Sequence, residues 1–403
     1  MTRITSGYNQ EKIQDMNREL VLNLLRKEGE CSRVHLAKMT QLKQATITHI
    51  INDFITWGVV KETGFLTGDK GRRSIGISLN NDGYGVLGIR IARKNYSVGL
   101  FDLSGTCIHQ KRVNIKMSQS PETTMKLVLH DSKALLADSG DRIILAAGVA
   151  IPGPYSIKKG RIELMTGVQG WNNISIKNDL EEALNIPVFV EQNANAGALA
   201  QYWHNDEQYR NEMLVYIAIG QGVGAGIINN GDLIRGAAGM AGEIGHTSIN
   251  FSGPKCVCGN HGCLENYCSS IAFTNEVNRK KGPGSNLSFQ EAQDLVRKKD
   301  PVATEVFLES CDHLSVGIIN IINSFNPTYV VLGDDMAHIM PNLMLERVTE
   351  NIKNRLISGI YEDTRICMSL VDSDSMLHGA AAVAIREILA RPAKYFTSHV
   401  HIS

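Results

Sequence analysis

Long apolar runs are missing from this 403-residue sequence, and with them the continuous hydrophobic length that a bilayer-spanning helix requires. The first residues, MTRITSGYNQEK, are polar and lack the apolar stretch of a secretory signal. The expected address is therefore the cytoplasm, with no membrane partner. A net charge is lacking too, since 41 Lys/Arg balance 41 Asp/Glu. That balance argues against a uniformly basic nucleic-acid-coating protein, but it hides an asymmetry. Residues 1–80 hold 12 Lys/Arg against 8 Asp/Glu, so the remainder is correspondingly acidic. A basic head on an acidic body suits a DNA-binding module joined to a ligand-binding one. What is present is ordinary globular material: 43% hydrophobic and 20% charged residues, long enough for two or three domains.

In the head, Ile13, Met16, Leu20, Val21, Leu24 and Leu25 recur at helical spacing over residues 11–28. Ser32 is placed to cap a second helix, Arg33–Met39, and after a break at Thr40–Leu42 a third runs from Lys43 to Trp57. Leu42, Ile47 and Ile50 would form the shared core with Ala37 at the crossing. Lys43, Gln44, Thr46, Thr48 and His49 would then face outward. Short polar side chains at the front of such a helix can reach base edges in a major groove. Gln41 stands in the turn, where a small residue is preferred. Val59–Thr63 and Ser74–Leu79 read as two strands around Gly64, Gly68 and Gly71, with Lys70, Arg72 and Arg73 at a basic tip. This is the pattern of a winged helix-turn-helix over residues 1–80, with operator DNA as the expected partner.

The body alternates strands and helices. Tyr84–Ile91, Tyr96–Leu103, Ile143–Ile151, Val188–Glu191, Leu214–Ile219 and Tyr329–Leu332 read as strands, several ending in glycine, which implies an α/β fold. Within it lies His246-x9-Cys256-x-Cys258-x4-Cys263. Three thiolates and an imidazole within 18 residues suit tetrahedral Zn²⁺, and four protein ligands would make the ion structural. His261 lies inside the same loop as a second, less favoured imidazole.

These residues together resemble the ROK family of repressors, open reading frames and sugar kinases. The resemblance rests on Gly220–Gly226, on Glu243-Ile-Gly-His246, on the cysteine loop ending Cys263-Leu264-Glu265, and on Gly379-Ala-Ala-Ala382. The head resembles that of the family's repressor branch. The resemblance implies an actin/hexokinase-like two-lobed body: lobe 1 over 81–200, completed by a C-terminal helix at 376–391, and lobe 2 over 201–375, carrying the zinc loop and an oligomerisation surface. It also implies that a sugar is held by Gln192, Asn193, Glu243, His246 and Glu265.

The family's kinases place an Asp where this sequence has Asn193, and an amide has no useful basicity near neutral pH. Their first phosphate loop, Asp-x-Gly-Gly-Thr, is replaced by Arg90-Ile91-Ala92-Arg93-Lys94, and a glycine-rich nucleotide turn by Gly333-Asp334-Asp335. Gln221 stands where a hydroxyl residue is usual. No catalytic residue is therefore expected. The expectation is a sugar-responsive DNA-binding regulator of carbohydrate genes, acting as a homodimer or homotetramer. The alternatives are an active kinase with a regulatory head and a repressor controlled by a protein partner. Whether the sugar is phosphorylated is left open: Arg90, Arg93 and Lys94 are read as solvated charge, with contact to a sugar phosphate as the alternative; Trp171 is read as a wall of the sugar site, and residues 392–403 as a polar tail without a role.

Overall fold

The computed structural model describes residues 10–67, 73–116, 119–156, 159–163, 170–371 and 374–399. The chain begins with α1 (Gln10–Glu28), β1 (Glu30–Ser32), α2 (Arg33–Thr40), α3 (Gln44–Thr56), β2 (Val60–Thr67) and β3 (Arg73–Leu79). Ser32 caps α2 by accepting from the His35 amide at 3.2 Å. Gln41 takes up the left-handed backbone at φ 59, so the turn between α2 and α3 is made without a glycine. Both wing strands are longer than the sequence pattern suggests. Gly64 is not at their tip but inside β2, at φ 110 beside a register shift. Lys70 and Arg72 lie outside the described residues; Arg73 is exposed at the start of β3.

On α1, burial begins at Val21 and takes in Leu22, Leu24 and Leu25. Ile13, Met16 and Leu20, expected on the buried face, are instead 45–49% exposed.

The body continues with β4 (Tyr84–Ile91), β5 (Asn95–Asp102), β6 (Cys107–Asn114), α4 (Pro121–Ala137), β7 (Ile143–Ile151), the short β8 (Tyr155–Ser156) and β9 (Arg161–Ile162), α5 (Ile176–Leu184), β10 (Val188–Gln192) and α6 (Asn193–His204). After α7 (Asp206–Tyr209) come β11 (Met213–Ile219), β12 (Val223–Asn229), β13 (Asp232–Leu233), α8 (Glu265–Cys268), α9 (Ser270–Lys281), α10 (Phe289–Arg297) and α11 (Pro301–Phe325). The chain ends with β14 (Tyr329–Gly333), α12 (Pro341–Lys353), α13 (Ser358–Asp363), β15 (Arg365–Met368), α14 (Ser375–Leu389) and α15 (Pro392–Phe396). No helix among the described residues is long and apolar enough to cross a membrane.

The two body sheets repeat one topology. The first has the order β10-β7-β4-β5-β6 and the second β13-β12-β11-β14-β15. In each, three antiparallel strands are extended by two parallel ones. Parallel strands need helical crossovers, so helices cover the faces. α14 packs against β4 and β7 of the first sheet, while α6 packs against β11 and β12 of the second. The lobe boundary expected at 200/201 thus falls within α6. The two helices meet through small residues, since a Cβ on Gly379 would overlap the Ala196 carbonyl; α14 meets β7 as closely, since a Cβ on Gly148 would overlap the Ala380 carbonyl.

Head and body share one core. Val21, Leu25, Ile47, Phe54 and Ile77 of the head are continuous with Tyr84, Val86, Ile385, Ile388 and Leu389 of the body. The C-terminal residues seal this junction, contrary to their reading as a polar tail. Phe396 is fully buried, stacks on Trp57 with centroids 6.4 Å apart and meets Tyr84 edge-on at 5.1 Å. The Tyr84 hydroxyl donates to the Trp57 carbonyl at 2.6 Å. Removing the Phe396 ring leaves a cavity under α3. Phe396→Ala is expected to lower unfolding stability by about 3 kcal/mol in denaturant titrations; a change below about 0.5 kcal/mol would show that the tail is not part of the core.

Candidate functional site

A cleft opens between the sheets at the carboxyl ends of β4, β7, β10, β11 and β14, the place where open α/β sheets bind ligands. Gln192, Asn193, Glu243, His246 and Glu265, scattered over 74 positions of sequence, all line it. Gln192 ends β10 and donates through Nε2 to the Gly239 carbonyl at 2.9 Å. Gly153 faces it across β7: a Cβ there would crowd the Gln192 and Glu243 side-chain oxygens. Asn193 opens α6, and its Nδ2 reaches the Ile91 carbonyl at 3.4 Å. That carbonyl can only accept, so the amide is oriented, and its Oδ1 is buried without a partner. Burial, reinforced by the Glu265 charge, pushes Glu243 up to about 7.

Glu191 is next to this site but occupied. It takes Arg235 Nε at 3.0 Å and Nη2 at 2.9 Å, Asn195 Nδ2 at 2.8 Å and the Gln192 amide at 3.0 Å. A carboxylate so committed to donors is not offered to a ligand hydroxyl. Trp171 is not a cleft wall. It is buried in the core of the first lobe with Ile162, Ile176 and Leu180; residues 164–169 of its loop lie outside the described residues.

Behind Glu265, His246, Cys256, Cys258 and Cys263 place their ligand atoms within 4.8 Å of one another. Cys256 Sγ lies 3.7 Å from His246 Nδ1, and Cys258 Sγ 3.7 Å from Cys263 Sγ. A tetrahedral ion with metal–sulfur bonds of about 2.3 Å spaces its sulfurs about 3.8 Å apart, so the donor set fits such an ion. The loop is shaped by the Lys255–His261 and Ser248–Cys263 bridges and by Gly262, at φ 63, packed on the Asn250 carbonyl. His261 is exposed and stands outside the cluster. Glu265 Oε1 is 3.4 Å from both His246 Nδ1 and Cys256 Sγ, which ties the loop to the cleft.

The residues read as solvated charge are organised otherwise. Lys94 is exposed, but Arg90 is buried and Arg93 largely so. Arg90 Nη1 bonds Asp374 Oδ1 at 2.7 Å, and Nη2 lies 3.6 Å from Asp334 Oδ1. Asp374 also accepts from Ser97 Oγ at 2.7 Å and caps α14. Although burial opposes its ionisation, Arg90 and Ser97 hold Asp374 below the ordinary carboxylate value. Burial and neighbouring Asp335 push Asp334 up to about 7, against the pull of Arg90. Arg93 Nη1 reaches the Gln221 carbonyl across the cleft at 3.2 Å. The two arginines therefore join the first lobe to the second and to α14. Sequence alone marked Arg90 and Asp334 as departures from a kinase pattern, but not as partners, and missed Asp374 and Ser97.

The exposed face of α3 carries Gln44, Thr48 and His49, with Lys43 just before it and Thr46 half-buried. Thr48 Oγ1 donates back to the Gln44 carbonyl at 2.9 Å.

Residues 86–387 match the ROK family. The chain belongs to the ROK family. Among curated relatives, the xylose repressor of Caldicellulosiruptor bescii is 29% identical over 397 residues, covering 95% of this chain and 99% of that one. The DNA-binding transcriptional dual regulator NagC of Escherichia coli is 27% identical over 391 residues, covering 94% and 95%. Among solved structures, a ROK family transcriptional regulator described as a homolog of the E. coli MLC protein superposes with TM-score 0.79 at 24% identity, covering 96% of this chain and 100% of that one. The ROK hexokinase from Thermus thermophilus, at TM-score 0.62 and 26% identity, covers 75% of this chain and 99% of its own. The ROK body is thus common to regulators and kinases, while the similarity to the regulators runs through the head.

Removing Arg90 would leave buried carboxylates without their cation. Arg90→Ala is expected to destabilise the protein by about 3 kcal/mol at neutral pH. The loss should shrink in acid, because the Asp374 contribution disappears in wild type as pH falls through its depressed value. Equal stability of the two proteins in neutral denaturant titrations would contradict the buried network.

Proposed function

We propose that this chain is a DNA-binding transcriptional regulator of sugar-utilisation genes, acting as a repressor whose cleft binds a sugar without phosphorylating it. The observation that carries the reading is the joining of a polar-faced α3 to a kinase-like cleft with an oriented amide at the base position, Asn193. An amide can hold a hydroxyl but does not take its proton. The full-length similarity to proteins named xylose repressor and NagC supports the same reading.

In this reading residues 1–80 form the DNA-binding unit. Lys43, Gln44, Thr46, Thr48 and His49 face the major groove, and Lys70, Arg72 and Arg73 take phosphates or the minor groove. Gln192, Asn193, Glu243, His246 and Glu265 hold the sugar hydroxyls. The ion at His246, Cys256, Cys258 and Cys263 is zinc, one per chain, and its role is structural: it fixes the loop that presents Glu265 and His246. A homodimer or homotetramer presents two heads to a two-fold operator.

The route from cleft to head is α14. Asp374 caps it in the cleft, and its far end, Ile385 to Leu389, lies in the shared core with α1 and α3. Fifteen residues span about 22 Å. Sugar that draws the lobes together shifts this helix and the head it carries, favouring one of two head arrangements.

Three outcomes are expected. Gln44→Ala weakens operator binding by about 1–3 kcal/mol in anisotropy titrations and leaves random DNA unaffected. Arg73→Ala reduces the salt slope by about one unit at every sequence; unchanged slopes would remove the wing from the contact. Elemental analysis of purified protein finds about one zinc per chain, and Cys263→Ser loses it. A coupled assay with ATP, Mg²⁺ and a panel of hexoses, pentoses and amino sugars tests the non-enzymatic reading: turnover at ordinary enzyme rates, on the order of 1 per second or faster, would make the chain a kinase with a DNA-binding head.

A further inference from the structure

One part of the cleft is lined by Arg90, Arg93, Asn95, Gln221, Asp334 and Asp335, and Asn193 is joined to it through the carbonyl of Ile91, the residue after Arg90. Its charges do not favour an anion. Arg90 is already held by Asp374 and Asp334, and the group as a whole is acidic. Arg93 is engaged with the Gln221 carbonyl and faces the Glu265 charge. Over the whole cleft wall two arginines stand against Glu243, Glu265, Asp334 and Asp335.

Of the four buried side-chain polar atoms of the cleft lining that lack a partner, one is a donor, Arg90 Nε, and three are acceptors. Asn95 is 8% exposed and its Oδ1 is unpartnered; so are Asn193 Oδ1 and Gln221 Oε1. The Asn193 oxygen is fixed as the free atom because its nitrogen meets the Ile91 carbonyl. These atoms accept hydrogen bonds. Buried acceptors need donors, which a hydroxyl or an amine brings and a phosphate ester lacks. The glycine turn that would offer amides to phosphate is also partly closed on itself, since the Gly220 amide bonds the Gly222 carbonyl at 3.0 Å.

We propose that this part of the cleft admits the free hydroxyl of an unphosphorylated sugar at Asn193 and rejects the phosphate ester of that same hydroxyl through Asp334 and Asp335. The proposal rests on the sugar-binding reading above and deepens it. The protein senses the substrate of a sugar-phosphorylating reaction and not its product, so a kinase acting on the same sugar would end the signal.

The test is calorimetric titration, in mildly alkaline buffer where Asp334 is ionised, of D-glucose, D-mannose and N-acetylglucosamine, each against its 6-phosphate ester. Whichever free sugar binds is expected to bind about 30-fold or more tightly than its ester. Asp335→Asn, a half-buried position outside the Arg90 pairs, is expected to narrow that gap by about 3-fold or more, mainly by strengthening the ester. Free and esterified sugar binding equally, or the ester binding better, would overturn this inference while leaving the sugar-binding reading intact. A gap that Asp335→Asn and Asp334→Asn both leave unchanged would overturn the assignment to these carboxylates. If neither form of any sugar binds, the sugar-binding reading fails and this inference with it.

Discussion

One helix holds the architecture together. α14 begins in the cleft, where Asp374 caps it while gripping Arg90, and ends among the apolar side chains that seat the head. A helix of that length does not bend easily, and both of its faces are committed. Gly148, Gly379 and the alanines between leave no room for the packing against β7 and α6 to slacken. Close-packed interiors switch between discrete arrangements and do not stretch. In the proposed regulation, a change in lobe separation at one end is answered at the other. The continuity of the core through Tyr84, Trp57 and Phe396 makes the head an extension of the body and not a module on a loose tether.

The cleft is a second case of one constraint deciding several features. Arg90 puts a buried cation between the lobes, and a buried cation requires partners. Asp334 and Asp374 supply them, from the end of β14 and the start of α14. This part of the cleft is an internal ion network that ties three elements together. Nearby, Gln192 and Asn193 are oriented by backbone carbonyls, and Glu265 by the cysteine loop.

Much of this is legible in sequence because the signals are local. The His246–Cys263 spacing marks the metal cluster, and the glycines at strand ends mark the cleft. Helix periodicity with Ser32 as a cap marks the head. What is not legible depends on distance along the chain or on context. Arg90 and Asp374 are separated by 284 positions, and no local pattern joins them. Phe396 sits in a short segment with Lys394 and Ser398 that reads as a polar tail; only the apolar floor formed by Trp57 and Tyr84 explains its burial. On α1 the periodicity is correct, but it cannot reveal that Ile13, Met16 and Leu20 stay about half exposed. Trp171 reads as a ligand wall because its loop is near the cleft in sequence, yet the first lobe needs a large ring to fill its core.

Linkage between cleft and head is the physical claim on which the regulatory reading stands. Operator DNA isolated by selection from random sequence can be titrated with the full-length protein, with and without a saturating sugar that binds the cleft, and again with Glu243→Ala. Sugar is expected to change operator affinity by about tenfold or more in wild type, equivalent to about 1.4 kcal/mol of coupling, and to leave the variant unchanged. Identical operator affinities for wild type with and without bound sugar would contradict that linkage.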